Sequence, residues 1–412
     1  MTSFKPKIIN DPIYGFVTIQ HPIILDLINH PYVQRLRRIK QLGLTNLVYP
    51  GALHTRFHHA IGAMHLMQQA IYTLRSKGVQ ISNQEEEASL IAILLHDIGH
   101  GPFSHALEHT IVQSVSHETL SSTLMQELNK QFNGQISLAI AIFEDKYERK
   151  FFHQLVSSQL DVDRLDYLLR DSFFTGVSEG VIGTDRIIKM LTVVKDKLVV
   201  EQKGIYSIEK FLIARRLMYW QVYLHKTVLS AENMLINILL RAKELERHYH
   251  ADLFATPALK FFLKNNFSQS DFQNNPNIFS HFVSLDDDDV MASIKVWTQS
   301  DDFILSTLCQ KFIQRQLFRT ILQKDKIPQT LVKSVKTKLH KKYPFIKPNE
   351  INYFVINSSV DNSAYLKNKF KIEIYDGKKL KDITTASDNF NIKALSKKVT
   401  KYFLCYDKSI ES

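Results

Sequence analysis

An apolar helical run that ends on an adjacent histidine and aspartate constrains this chain more than any other feature. Leu90-Ile91-Ala92-Ile93-Leu94-Leu95 leads directly into His96-Asp97, and Gly99, Gly101 and Pro102 follow to stop the helix. Such a run belongs in a core, so the pair at its end is delivered to the interior. The start is equally legible. Ser82-Asn83-Gln84-Glu85 is a capping-box pattern, and Glu85, Glu86 and Glu87 sit at the positive end of the helix dipole. A histidine nitrogen beside a carboxylate oxygen is half of a first-row metal site. Nine of the 17 histidines fall between His54 and His117, a crowding that points to metal or proton chemistry.

The other half of such a site has candidates on both sides. Upstream, Arg56-Phe57-His58-His59 opens a helix in which Phe57, Ile61, Met64, Ile71 and Leu74 recur with helical period. Downstream, carboxylates interrupt an apolar pattern at helical spacing in Asp161-Val162-Asp163-Arg164-Leu165-Asp166-Tyr167. Two imidazoles and two carboxylates would make an N/O site for Mn, Fe, Mg, Co or Zn.

The 412 residues allow two or three domains. Cys309 and Cys405 fit no metal or redox spacing, which suits a reducing compartment. With no secretory h-region and no long apolar span, the expectation is a cytoplasmic protein with no membrane partner. A net charge of +11 implies an anionic partner. Lys324, Lys326, Lys333, Lys336, Lys338, Lys341 and Lys342 form a basic stretch, but no RNA-binding aromatic motif or zinc-finger spacing accompanies it. Nucleic acid is therefore a secondary expectation.

The pattern from about 20 to 250 reads as helices, including a long one from Ile208 to Arg247, with a short hairpin inserted at Val193-Val194 and Leu198-Val199-Val200. Residues 251–285, rich in Asn, Ser and Phe, read as a linker, and Asp286 to Asp289 as a solvated helix start. Strand-like runs follow at Tyr353–Ile356, Phe370–Tyr375 and Tyr402–Tyr406. The fold class expected is mainly α, with a small β-hairpin insertion and a C-terminal α+β lobe.

From about Lys7 to Lys226 the chain resembles the HD-domain metal-dependent phosphohydrolases, and within them the deoxynucleoside triphosphate triphosphohydrolases. The matching runs are Asn10-Asp11-Pro12-Ile13-Tyr14-Gly15, Gln34 to Gly43, Tyr49-Pro50-Gly51-Ala52, Arg56-Phe57-His58-His59, His96 to His105, His117-Glu118, Asp161 to Asp171 and Tyr223-Leu224-His225-Lys226. The pattern is similar to the catalytic domain of the vertebrate enzyme that joins a SAM domain to an HD domain, and the expectation is an HD-only relative of bacterial type. The implied domains are a catalytic HD domain over 1–250, a helical linker or extension over 251–345 and a small α+β lobe over 346–412.

The resemblance implies a dGTPase-like enzyme that cleaves a dNTP to deoxynucleoside and inorganic triphosphate; the alternatives are hydrolysis of other nucleotides, or a nucleotide sensor or nucleic-acid binder with a structural HD site. It carries the ligands of a divalent metal onto His59, His96, Asp97 and Asp163, and catalytic roles onto His100, His105 and His117. Substrate contacts fall on Arg56, Arg164, Tyr167, Asp171, Arg215 and Tyr223, with Gln41 and Leu42 against the sugar. His58 departs from the pattern, which commonly has a carboxylate there, and Arg164 stands where the family often has Lys. A homo-oligomer, dimer or tetramer, is implied, with an activating nucleotide in an allosteric pocket at Lys7, Ile8, Asn29, Gln34 and Arg37. Asn29 stands where the vertebrate enzyme has an aspartate, which implies weakened guanine preference; its plain alternative role is to end one helix and cap the next.

Overall fold

The computed structural model describes residues 4–104, 107, 110, 115–365 and 371–411. The chain starts with an antiparallel hairpin, β1 (Lys7–Asp11) and β2 (Gly15–Ile19), in the register Lys7 to Ile19. Its turn is set by Asp11, whose Oδ1 accepts the Ile13 and Tyr14 amides at 2.8 and 3.1 Å, and by Gly15 at a φ of +73°. Alternation puts Val17 and Ile19 inward and leaves Ile8 and Phe16 exposed. Helices α1 (Pro22–Asn29) and α2 (Pro31–Gln34) follow. The residue between them that caps the second is His30, whose Nδ1 accepts the Tyr32 amide, and not the Asn29 that the sequence offered for this role.

Helices α3 (Arg56–Ser76) and α4 (Asn83–Leu95) form the centre of the core. The Ser82–Glu85 capping box is formed in both directions, at 3.2 and 2.8 Å, and every side chain from Leu90 to Leu95 is buried. Beyond the undescribed residues come α5 (His117–Gln131), α6 (Ser137–Phe143), α7 (Lys150–Val156) and α8 (Val162–Thr175). Helix α8 lies against α3 where α3 carries Gly62. A Cβ on Gly62 would stand 2.0 Å from Arg170 Nη2 and 2.2 Å from Asp166 Oδ1, so only glycine admits these side chains.

Helix α9 (Thr184–Met190) leads to the expected hairpin, β3 (Leu191–Val194) and β4 (Lys197–Glu201). The tail extends it: Glu373–Tyr375 adds in parallel to β4, and Leu380–Asp382 completes a four-stranded sheet. A second sheet has Val399–Tyr406 between Arg319–Gln323 and Val355–Asn362.

Four local readings change. The single helix expected from Ile208 to Arg247 is two, α10 (Ile205–Met218) and α11 (Lys226–His248), separated by a π-helical turn at Tyr219–Tyr223. Long-range bonds hold that turn, Tyr49 Oη to the Gln221 carbonyl and Tyr223 Oη to Asp171 Oδ2, both at 2.7 Å. The expected linker at 251–285 holds helices Pro257–Lys264, Gln269–Asn274 and Pro276–Ser284; its phenylalanines 262, 272 and 282 are core, not linker composition. Asp286 does cap a helix, but it and Asp287 are buried rather than solvated: Arg38 pairs with Asp286, and Asp287 Oδ2 accepts the Lys40 amide. Tyr353 and Phe354 end a 3-10 turn instead of starting a strand, and Phe370 lies outside the described residues.

Candidate metal centre and active site

His59, His96 and Asp163 come together at the junction of α3, α4 and α8 and form a group that could hold a metal ion. His59 projects from the first turn of α3, His96 caps the C-terminus of α4, and Asp163 begins α8. Asp163 Oδ1 lies 3.1 Å from His59 Nε2 and 3.5 Å from His96 Nε2. Asp97 stands beside the three, with Oδ1 3.4 Å from His96 Nε2 and Oδ2 3.9 Å from His59 Nε2. Both Nε2 atoms are buried and make no hydrogen bond. Two orphaned ring nitrogens facing two carboxylates are the donor set a divalent cation requires, and the residues fit it.

Each imidazole is oriented from behind. His59 Nδ1 donates to Asp166 Oδ2 at 2.7 Å and His96 Nδ1 to the Ile93 carbonyl at 2.6 Å, which leaves Nε2 of each ring as the atom that would meet a cation once its proton is lost. Burial disfavours charging His59, but the Asp163 and Asp166 carboxylates against its two ring nitrogens outweigh this and raise its pKa to about 10, so a cation bound here takes the place of the Nε2 proton. Burial works against Asp163 in the same way, yet the two imidazoles hold its carboxyl far below the usual range.

Cationic and aromatic side chains border this group. Arg56, at the start of α3, donates from Nη1 to Asp97 Oδ2 at 2.6 Å and from Nη2 to Ser104 Oγ at 3.4 Å. Arg164 pairs with Asp161, and its Nε is buried without a hydrogen bond. Arg215 reaches the Ala364 carbonyl at 3.1 Å, and its Nε is also unpaired. Both cations act on the hydroxyl of Tyr167, whose pKa burial drives far up. The Tyr167 and Tyr223 rings meet edge to face at 6.1 Å. Asp171 is engaged at both oxygens, by Tyr223 and by His54 Nε2 at 2.8 Å.

His100 Nε2 lies 3.2 Å from Asp97 Oδ1, and its ring stacks on His117 at a centroid distance of 4.0 Å. Burial, and then the Arg56 charge, pull the His100 pKa down to about 3, so this imidazole is neutral. His105 lies outside the described residues. Gln41 and Leu42 form the turn after the Lys40–Thr55 bridge, beside Arg56: the Gln41 amide donates to the His54 carbonyl at 3.0 Å, and its Oε1 is buried without a hydrogen bond. The five allosteric candidates sit on the N-terminal elements. Lys7 and Ile8 are on β1, Asn29 ends α1, and Gln34 Oε1 accepts Arg37 Nε at 2.9 Å.

Sequence reasoning missed the supporting residues. Asp166 orients His59, Arg170 grips Asp166 with two bonds of 2.9 Å, and Asp11 holds Arg170 at 2.8 Å. His54 on Asp171 was also missed. The available signal was a pair of opposite charges, Asp166 and Arg170, four residues apart and so neighbours on one face of the helix.

The HD domain family model matches residues 56–171, and a model of the HD associated region matches 182–257. A solved "Phosphohydrolase" from Bacteroides thetaiotaomicron is 53% identical with a TM-score of 0.94, covering 98% of this chain and 100% of that one. The chain belongs to the HD-domain phosphohydrolase family. The uncharacterized protein YwfO of Bacillus subtilis is 35% identical over 324 residues, 77% of this chain and 72% of that protein. The deoxynucleoside triphosphate triphosphohydrolase SAMHD1 homolog of Dictyostelium discoideum is 33% identical over 257 residues; the match spans 58% of this HD protein and about half, 50%, of the relative. Among the described residues no helix is long and apolar enough to cross a membrane.

Proposed function

We propose that this HD protein is a divalent-metal-dependent hydrolase that cleaves deoxynucleoside triphosphates to deoxynucleoside and inorganic triphosphate. The observation that carries the reading is the pair of buried, unpartnered Nε2 atoms of His59 and His96 facing Asp163 and Asp97, with arginine guanidiniums beside them. The likeness to the triphosphohydrolases supports the substrate class.

His59, His96, Asp97 and Asp163 would hold the metal, which when bound polarises a phosphoryl oxygen and acidifies water. Arg56, Arg164 and Arg215 neutralise the triphosphate as charge moves onto it, and their fixed positions spare reorganisation in the transition state. The neutral His100 holds Ser104 from Nδ1 at 2.9 Å and keeps Arg56 directed inward through the same hydroxyl. His117, stacked on the neutral His100, is the proton source for the leaving 5′-oxygen. Tyr167 and Tyr223 flank the sugar, and Asp171, already held by His54, accepts its hydroxyl.

The test is product analysis. Protein loaded in turn with Mn, Fe, Mg, Co and Zn is incubated with each dNTP and each NTP, and phosphate products are separated by chromatography. Equimolar deoxynucleoside and tripolyphosphate is the expected result; orthophosphate or pyrophosphate with a residual nucleotide would assign another phosphohydrolase reaction to the same residues.

A further inference from the structure

A buried chain of four charged or polar side chains runs from the N-terminal hairpin to the candidate ligand His59. Asp11 Oδ2 accepts from Arg170 Nη1 at 2.8 Å; Arg170 Nε and Nη2 clasp both oxygens of Asp166 at 2.9 Å; Asp166 Oδ2 accepts His59 Nδ1 at 2.7 Å. His59, Asp166 and Arg170 are 0% exposed and Asp11 6%. Water therefore cannot substitute for a lost partner without repacking, and each link fixes the next. The clasp exists because α3 has no Cβ at Gly62.

We propose that Asp11 and Arg170 are positioning residues for metal binding, acting on His59 through Asp166. The two oxygens of Asp11 have separate tasks. Oδ1 closes the β1–β2 turn on the Ile13 and Tyr14 amides, and Oδ2 sets the guanidinium plane. That plane fixes the Asp166 carboxylate, and with it the direction of the His59 lone pair. The hairpin turn and the ligand are thus coupled although 48 residues separate Asp11 from His59 in the chain. The Tyr14 ring, 5.5 Å from the Arg170 guanidinium, covers it from the turn side. This inference rests on the metal-site reading above.

The test is titration calorimetry of the metal-free protein with Mn²⁺, well below its unfolding temperature. Asp11→Asn keeps an oxygen for the turn but removes the charge that holds Arg170, and Arg170→Lys keeps the charge but gives up the fork. Loss of an outer partner of a metal ligand weakens affinity by about 10- to 100-fold; a weakening of about tenfold is expected in each variant, with unchanged stoichiometry and native circular dichroism. A purely structural role would lower the melting temperature and leave the affinity of the folded protein unchanged, and that result overturns the proposal. A third measurement reads the hydrogen bond behind His59 directly. In zinc-loaded wild-type protein, ¹⁵N-histidine spectra assigned with His59→Gln should show a strongly downfield Nδ1–H for His59, and its absence also overturns the proposal. Wild-type protein that binds no divalent metal would instead refute the metal-site reading, a result distinct from both.

Discussion

Arg56 Nη1 donates to Asp97 Oδ2 at 2.6 Å, so the first cation of α3 rests on the carboxylate that follows the His96 cap of α4. Both side chains are nearly buried, and the contact is a strong, charge-assisted one. A guanidinium in that place lowers the negative charge of the metal site and offers its remaining donors to a phosphate. Arg56→Gln is therefore expected to keep metal stoichiometry, with affinity equal or tighter, while kcat/KM falls by about 100-fold or more, as for loss of a preorganised electrostatic donor. Metal analysis beside steady-state kinetics checks this; loss of metal together with activity would assign Arg56 to holding Asp97 alone.

His96→Ala and Asp97→Ala are expected to abolish bound metal and hydrolysis while the helical fold remains. The buried run that carries the pair keeps its packing, because His96 only caps α4. Elemental analysis and circular dichroism of each variant decide the point, and full activity in metal-free Asp97→Ala would sink the whole reading.

Sugar selection is expected at Leu42, which is half-buried beside the Gln41–His54 segment. An aliphatic chain in the space of a 2′-hydroxyl would leave that hydroxyl desolvated and unpaired, a penalty of about 1–3 kcal/mol. The dATP-to-ATP ratio of kcat/KM should fall in Leu42→Gly. Equal rates on both substrates in wild type, unchanged in the variant, remove this gate.

Burial alone pushes the Glu232 carboxyl up to about 7. A folded pKa above the unfolded one makes its stability contribution complete below about pH 4 and lost as pH rises through 7. Glu232→Gln should leave the melting temperature unchanged at pH 4.5 and raise stability at pH 8 by about 1–3 kcal/mol. Calorimetry at the two pH values tests it; a gain equal at both would mean that the titration is not the cause.

Asn29 gives one acceptor and one donor where an aspartate would give two acceptors. If a nucleotide seats near Lys7, Asn29 and Arg37, activation should not be exclusive to guanine. Rates with GTP, dGTP, dATP or no effector, paired with sedimentation in each condition, measure base choice and assembly together. Strong activation by guanine nucleotides alone would refute the first expectation, and a monomer throughout would refute the oligomer.

Local chemistry was legible in the sequence. The capping box of α4, its six-residue apolar run and the His96-Asp97 stop are all present as read, because caps and periodicity act within one or two turns. What no local pattern could give is which distant groups meet. The Asp11–Arg170–Asp166–His59 chain depends on a glycine in α3 that lets α8 approach. The π-turn at Tyr219–Tyr223 is held by Tyr49 and Asp171 from elsewhere in the chain. The tail strand joins β4 because an open edge of backbone donors and acceptors was there to be paired, whatever side chains it carries. The sequence by itself determined the ligand types and the helices that present them; packing decided their orientation, since it depends on side-chain volumes and buried bonds that meet only when the chain has folded.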